Sequence, residues 1–229
     1  MTDASRVVLV DEVDRDGFAY RRLVARTPWI KPGDDLVPVI RESLGDELGS
    51  GGTVFVAEKV AIVSSDRLVP VSSVRVSRFA AFASRYVRPI GQDLAQSIPE
   101  RMQFVIDRIG LPRVLLACAA TAVTRPLKVK GAFYVIAGRE ARDLDGMHGE
   151  YADWLLPPLK PREGQELVDD LAGRLGVPVA IADVNDRGGH IRAVSPGGLS
   201  ADHLLRALGD NPHGHKATST PVGMVQLLR

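Results

Sequence analysis

The chain has 229 residues, 45% of them apolar and 25% charged, with 29 Lys/Arg against 28 Asp/Glu. That is the make-up of an ordinary soluble globular protein, and it excludes a disordered or collagen-like chain. A formal charge of +1 gives no reason to expect nucleic acid or an anionic membrane as partner, and no stretch approaches the roughly 20 apolar residues of a membrane span. The length suits one large domain or two lobes sharing a core, and no repeat, low-complexity segment or long linker divides it. Cys118 is the only cysteine, so no internal disulfide forms; within the apolar run Val114–Ala120 it reads as a small buried filler. No charged amino-terminal flank leads into an apolar core, and the expected compartment is the cytoplasm.

In chain order, Arg6–Val10 and Phe18–Ile30 have the character of strands, the second carrying Tyr20, Leu23, Val24 and Trp29. Thr27–Asp35 is a turn loop with two prolines and a glycine. Asp34 or Asp35 can cap the helix that follows, because a carboxylate accepts the free amides of a first turn. Leu36, Val39, Ile40 and Leu44 give that helix its apolar face, and Pro38 is tolerable in its first turn. After the Gly49–Gly52 break, Thr53–Val63 reads as an apolar strand interrupted by Glu58-Lys59. Such a charged pair is costly to bury, so it should face a site or a rim. On a strand the two side chains lie on opposite faces, and Lys59 is either phosphate-facing or a solvated edge lysine.

Ser72–Val87 places Phe79, Phe82, Ala83 and Tyr86 at helical spacing, as core packing does. Pro99–Ile109 is a helix with Ser97 as candidate cap and proline in the first turn; Met102, Val105, Ile106 and Ile109 form one face, and Leu111-Pro112 ends it. Val114–Val123 is a helix or a buried strand, since periodicity does not decide. Arg125, Lys128 and Lys130 precede Gly131–Gly138, which reads as a buried strand; the basic residues there could hold an anion or form a solvated turn. Arg139–Tyr151 is polar, Trp154–Pro158 extended, and Gly164–Leu175 an amphipathic helix built on Leu167, Val168, Leu171 and Leu175.

The chain is organised around Val177–His190, where an apolar strand runs into Asp183, Asn185 and Asp186 and then Gly188-Gly189. Carboxylates crowded at a strand end repel unless a cation or a basic ligand sits between them, which suggests a hard-metal or metal-nucleotide site. The plainer alternative is an Asx-rich turn closing a hairpin into His190–Ser195. Ser200–Leu208 is a short helix capped by Ser200, residues 209–215 a loop, and Gly223–Leu228 a last strand. His213 and His215 alternate but have no third histidine or cysteine nearby, which disfavours zinc, and surface positions are expected for His190 and His203. The sequence contains no Walker loop, no Gly-x-Ser-x-Gly elbow, no His-Glu-x-x-His helix and no conventional dinucleotide fingerprint.

Three separated segments resemble the gamma-glutamyl ligases of the deazaflavin coenzyme F-420. Pro28-Trp29-Ile30-Lys31-Pro32-Gly33-Asp34-Asp35-Leu36 is similar to that family's Pro-Leu-Ile-Lys-x-Gly-Asp-Asp-Leu opening. Val54–Val60 is similar to its apolar strand ending in Gln-Lys or Ser-Thr. Ala137-Gly138, Asp145, Leu155-Leu156-Pro157-Pro158 and Ala182-Asp183 follow in the order of its Ala-Gly, Asp, Leu-Leu-Pro-Pro and Thr-Asp-Thr segments. A divergent branch with Ile-Asp-Gly, Asp-Ala-Asn-Asp and Asp-Asn-Pro-Leu-Gly segments is nearer still; here these read Leu144–Gly146, Asp183–Asp186 and Asp210–Gly214.

The resemblance implies an α+β fold with mixed sheets and flanking helices, as a single ligase-like domain over residues 1–229 or two intertwined lobes, assembled as a homodimer. It implies GTP and a divalent metal, manganese or magnesium, as cosubstrate and cofactor. A carboxylate acceptor would be activated as an acyl phosphate and attacked by the amine of L-glutamate or another amine. Pro28, Trp29, Ile30, Lys31, Glu58, Lys59 and His148 match nucleotide-touching positions. Asp145 and Asp183 match metal positions, with Glu140 as the alternative to Asp145 and Asp186 or Asn185 a replacement for the family's metal-binding hydroxyl, which is Val184 here. A basic family position is Val63. These departures make a non-catalytic, anion-binding relative the alternative to a ligase.

Overall fold

The structure, a computed structural model, describes residues 7–65, 67–87, 95–124, 126, 131–147, 149–185, 188–214 and 219–228. The expectations for Arg125, Lys128, Lys130, His148, Asp186 and His215 lie outside these residues. In chain order the elements are β1 (Val7–Arg15), β2 (Phe18–Ala25), α1 (Leu36–Leu44), β3 (Thr53–Ala57), α2 (Glu58–Val63), β4 (Val69–Pro70), α3 (Arg78–Ala83), α4 (Pro99–Ile109) and α5 (Leu111–Thr124). They continue with α6 (Ala132–Ala137), α7 (Arg139–Arg142), β5 (Asp145–Gly146), β6 (Trp154–Leu156), α8 (Pro161–Leu175), β7 (Val179–Asn185), β8 (Gly188–Val194), α9 (Ala201–Leu208) and β9 (Val222–Leu227). The fold is α+β, with a mixed six-stranded sheet and flanking helices. The chain divides into two compact units, residues 1–66 with 159–229, and residues 67–158.

The first unit holds the six-stranded sheet, ordered β1-β2-β9-β3-β7-β8. Asp16 and Gly17 both take positive φ, 51° and 82°, the geometry of a two-residue hairpin turn, and so β1 folds back on β2. Only β3 and β7 run parallel; every other pairing in this sheet is antiparallel. Ala180, Ala182 and Val184 alternate along β7 into a core shared with Tyr20, Val24, Phe55 and, on α9, Leu204, Ala207 and Leu208. By the same alternation Val179, Ile181 and Asp183 belong to the other face, and α8 and α2 both pack against β7. Asp35 caps α1 by accepting the Val37 amide at 3.0 Å, and Ser200 caps α9 by accepting the His203 amide. Burial works against the Arg22 charge, but its bonds to Asp11 and Asp210 outweigh that and hold the guanidinium pKa above its usual value.

The second unit is a set of helices, α3 to α7, with the small sheet β4-β6-β5. Its core joins Ala80, Met102, Phe104, Val105, Val114, Ala117, Phe133, Ala137, Leu144 and Leu155. Arg101 is buried there and donates to the Leu144 carbonyl. Cys118 is half-buried against this core, and desolvation pushes its thiol pKa up, as a filler rather than a nucleophile requires.

Several sequence expectations are corrected. Thr53–Val63 is not one strand: after Ala57 the chain turns helical, with Glu58, Ala61 and Ile62 buried at i, i+3 and i+4 and Lys59 exposed. Gly131–Gly138 is a helix rather than a strand, bounded by glycines at φ 85° and 83°, with Phe133 and Ala137 buried at i and i+4. Val114–Val123 resolves as part of helix α5, which starts at Leu111 where the preceding helix was expected only to stop. Ile98, not Ser97, is the cap residue of α4. In Ser72–Val87, Phe79 packs on the core, but Phe82 and Tyr86 are exposed.

Candidate functional site

The parallel pair β3–β7 places two of the segments singled out in the sequence side by side. Its register pairs Val54 with Val179 and ends with Ala57 opposite Ala182. Glu58 and Asp183, the next residue along each strand, therefore emerge side by side where β3 ends and β7 runs on to Asn185, near the edge where α/β sheets hold ligands. Glu58 opens α2, and Asp183 continues β7 into the antiparallel hairpin with β8.

A guanidinium joins the two carboxylates. Arg192 Nε donates to Glu58 Oε2 at 2.6 Å, and Arg192 Nη2 donates to Asp183 Oδ2 at 3.0 Å. The arginine and glutamate side chains are only 8% and 10% exposed, whereas that of Asp183 is 46% exposed. The reason Arg192 reaches this position lies in the pairing of β8. Ile181 pairs with Ala193 and Ala182 with Ile191, so Arg192 is the extra residue of a bulge. A bulge bends the strand and re-aims the side chain it carries. The close approach of β7 and β8 beyond it depends on Gly189, where an added Cβ would sit 2.8 Å from Val184 Cγ2.

The loop carrying the first segment lies in the same unit. Gly33 donates its amide to Val63 O at 3.2 Å, fixing the loop to the last turn of α2, about 8 Å along the helix from Glu58. Ile30 is buried, Pro28, Trp29 and Lys31 are exposed, and the Lys31 amide is already bonded to Asp34 Oδ2 at 2.7 Å. Lys59 is exposed on α2. Thus Glu58 and Asp183 are brought into one ion-pair cluster, and Pro28–Lys31 is tethered to the helix that bears Glu58 and Lys59. Asp145 belongs to the second unit, in β5, where it pairs with Leu156 and its Oδ1 accepts the Gly146 amide at 2.7 Å. His203 is not a surface residue: it is half-buried, its Nδ1 lies 2.7 Å from the Tyr20 hydroxyl oxygen, and Phe18 meets its ring edge-on at 4.8 Å.

The charge between the carboxylates is thus Arg192, which sequence reasoning missed. Asp183 Oδ1 makes no hydrogen bond to a described residue and its side chain is nearly half exposed. Val184 is buried and has no donor atom, and among the described residues no three His, Cys, Asp or Glu side chains form a metal-holding group. Within the Glu58–Arg192–Asp183 cluster, the carboxylate oxygen open to an ion is Asp183 Oδ1. A magnesium or manganese ion held by nucleotide phosphates keeps most of its shell as water and phosphate and needs few protein oxygens.

The chain matches no protein-family profile, and it has no significant match among curated proteins.

Proposed function

We propose that the chain is a divergent relative of the F-420 gamma-glutamyl ligases and acts as a nucleotide- and divalent-metal-dependent amide ligase. The observation that carries this reading is the Ala57–Ala182 register, which puts Glu58 and Asp183 of two separately resembling segments at one strand edge. The reaction it assigns transfers the γ-phosphoryl group of GTP to a carboxylate acceptor, giving an acyl phosphate and GDP. The amine of L-glutamate then attacks the acyl carbon, phosphate leaves, and the amide nitrogen loses its proton. Metal bound with the nucleotide supplies charge neutralisation on the phosphate oxygens. On this reading Asp183 binds manganese or magnesium. Pro28, Trp29, Ile30, Lys31, Glu58 and Lys59 contact the nucleotide, and the protein works as a cytoplasmic homodimer. Arg192 orients Asp183 through Oδ2.

A second reading, a relative that binds nucleotide or another anion without ligation, is favoured by two observations. Arg192 engages both carboxylates, and Val184 is buried where the resemblance calls for a metal-binding hydroxyl. Melting curves of the purified protein with GTP and manganese, combined with phosphate release with and without L-glutamate, separate the two. The ligase reading expects a raised melting temperature that Asp183→Asn removes, and phosphate release that requires both glutamate and a carboxylate acceptor. A melting shift without phosphate release supports the second reading. Unchanged melting curves sink both.

A further inference from the structure

The near-zero total charge conceals a segregation. Residues 67–158 carry 13 Lys/Arg against 8 Asp/Glu, while the rest of the chain carries 16 against 20. Between Asp66 and Asp93 the sequence has five arginines and no acidic residue. Three of them, Arg75, Arg78 and Arg85, are exposed and make no ion pair or hydrogen bond with a described residue. They share their segment with exposed aromatic rings: Phe82 is 55% and Tyr86 62% exposed, with centroids 5.0 Å apart. Arg78, Phe82, Arg85 and Tyr86 fall at i, i+4, i+7 and i+8 along α3 and the 3-10 turn at Ser84–Tyr86 that continues it, and so share one face. Val76, just before α3, is exposed as well.

We infer that this face of the second unit docks on an anionic lipid surface. These cations favour a negatively charged partner, because no neighbouring carboxylate among the described residues neutralises them. The rings narrow that partner further. More than half exposed, they suit a soft surface that receives aromatic groups. Phenylalanine and tyrosine beside arginine is the composition that settles at the headgroup level, rings at the acyl boundary and guanidinium groups on lipid phosphates. Nucleic-acid stacking lays bases along a basic groove, to which rings more than half exposed are a poorer fit. Binding here is independent of the ligase reading.

The test is co-sedimentation of the full-length protein with phosphatidylcholine vesicles, with and without about 30% phosphatidylserine. The protein should pellet with the anionic vesicles only, and be released at roughly 0.5 M salt, where charges are screened within a few ångströms. Arg78→Gln with Arg85→Gln should weaken binding by roughly 25-fold, near fivefold for each arginine at the surface. Phe82→Ser with Tyr86→Ser should weaken it while leaving its salt dependence unchanged. Both pairs are exposed, and circular dichroism identical to the parent confirms that they fold. Equal binding to neutral vesicles, no binding to either, or full binding by both variants overturns the inference. Salt-sensitive capture of a single-stranded oligothymidine in place of the vesicles overturns it too, and reassigns the face to nucleic acid.

Discussion

Removing Arg192 is the most informative perturbation, because the three side chains of its cluster differ sharply in burial. Arg192 and Glu58 are 8% and 10% exposed, and their 2.6 Å bond is shielded from water; Asp183 is 46% exposed. In Arg192→Met the methionine fills much of the same volume, but the buried Glu58 carboxylate loses its guanidinium. Breaking one side of a buried pair costs about 3–5 kcal/mol. For a chain of this size each kcal/mol moves the melting temperature by roughly 2–4 °C, so a fall of about 10 °C is expected. Asp183→Asn breaks only the solvated arm and should cost about 1 kcal/mol or less. Combining Glu58→Gln with Arg192→Met removes both buried charges and should recover more than about 1 kcal/mol relative to the sum of the singles. Differential scanning calorimetry of the four variants decides it. If Arg192→Met melts within about 2 °C of Asp183→Asn, the buried-pair reasoning is refuted.

Two further predictions concern the rest of the first unit. Arg22 joins β2 to Asp11 and Asp210 at 2.5 Å each and to the Ala207 carbonyl at 2.9 Å. Burial opposes ionisation of Asp210, but the hydrogen bond and charge of Arg22, with Arg15, outweigh it and hold the carboxyl below its usual range. A depressed folded-state value means stabilisation that is present above the unfolded pKa, about 4, and is lost as pH falls through the folded one. Thermal melts of wild type and Asp210→Asn should therefore differ most at neutral pH and converge in strong acid; a constant difference down to pH 2 or so would contradict the linkage. Gly223 lies in β9 between β2 and β3, where an added Cβ would strike the Leu23 carbonyl and the Phe55 ring. Gly223→Ala should cost about 1–3 kcal/mol in urea unfolding, and an unchanged midpoint would show that the sheet yields there.

Several elements were legible because their determinants are local. Proline in the first turn and the Met102–Val105–Ile106–Ile109 face give α4 its observed bounds, Pro99–Ile109. Ser200 and an apolar face built on Leu204 and Leu208 give α9, whereas Gly188 and Gly189, expected as a turn, lie in β8 paired with Asn185 and Val184. The helix in Glu58–Val63 was harder to see, since Val60, Ile62 and Val63 are β-branched and continue an apolar strand without a break. The buried i, i+3, i+4 set of Glu58, Ala61 and Ile62 was the only hint, and it requires a glutamate to count as a core residue. Phe82 and Tyr86 have the spacing of a packed face, yet periodicity says which residues share a side and not whether anything covers that side.

By itself, then, the sequence determined the class of the fold, the bounds of α4 and α9, and the acidic character of the chain around Asp183. These depend on neighbours a few residues away: caps, turn residues and apolar period. Which charge meets those carboxylates was decided only by tertiary structure. Glu58 and Asp183 lie 125 positions apart and are joined by the register of a parallel pair, and Arg192 is turned toward them by one extra residue in a neighbouring strand. Strand register and bulges are properties of pairing between segments, so no single stretch of the chain encodes them.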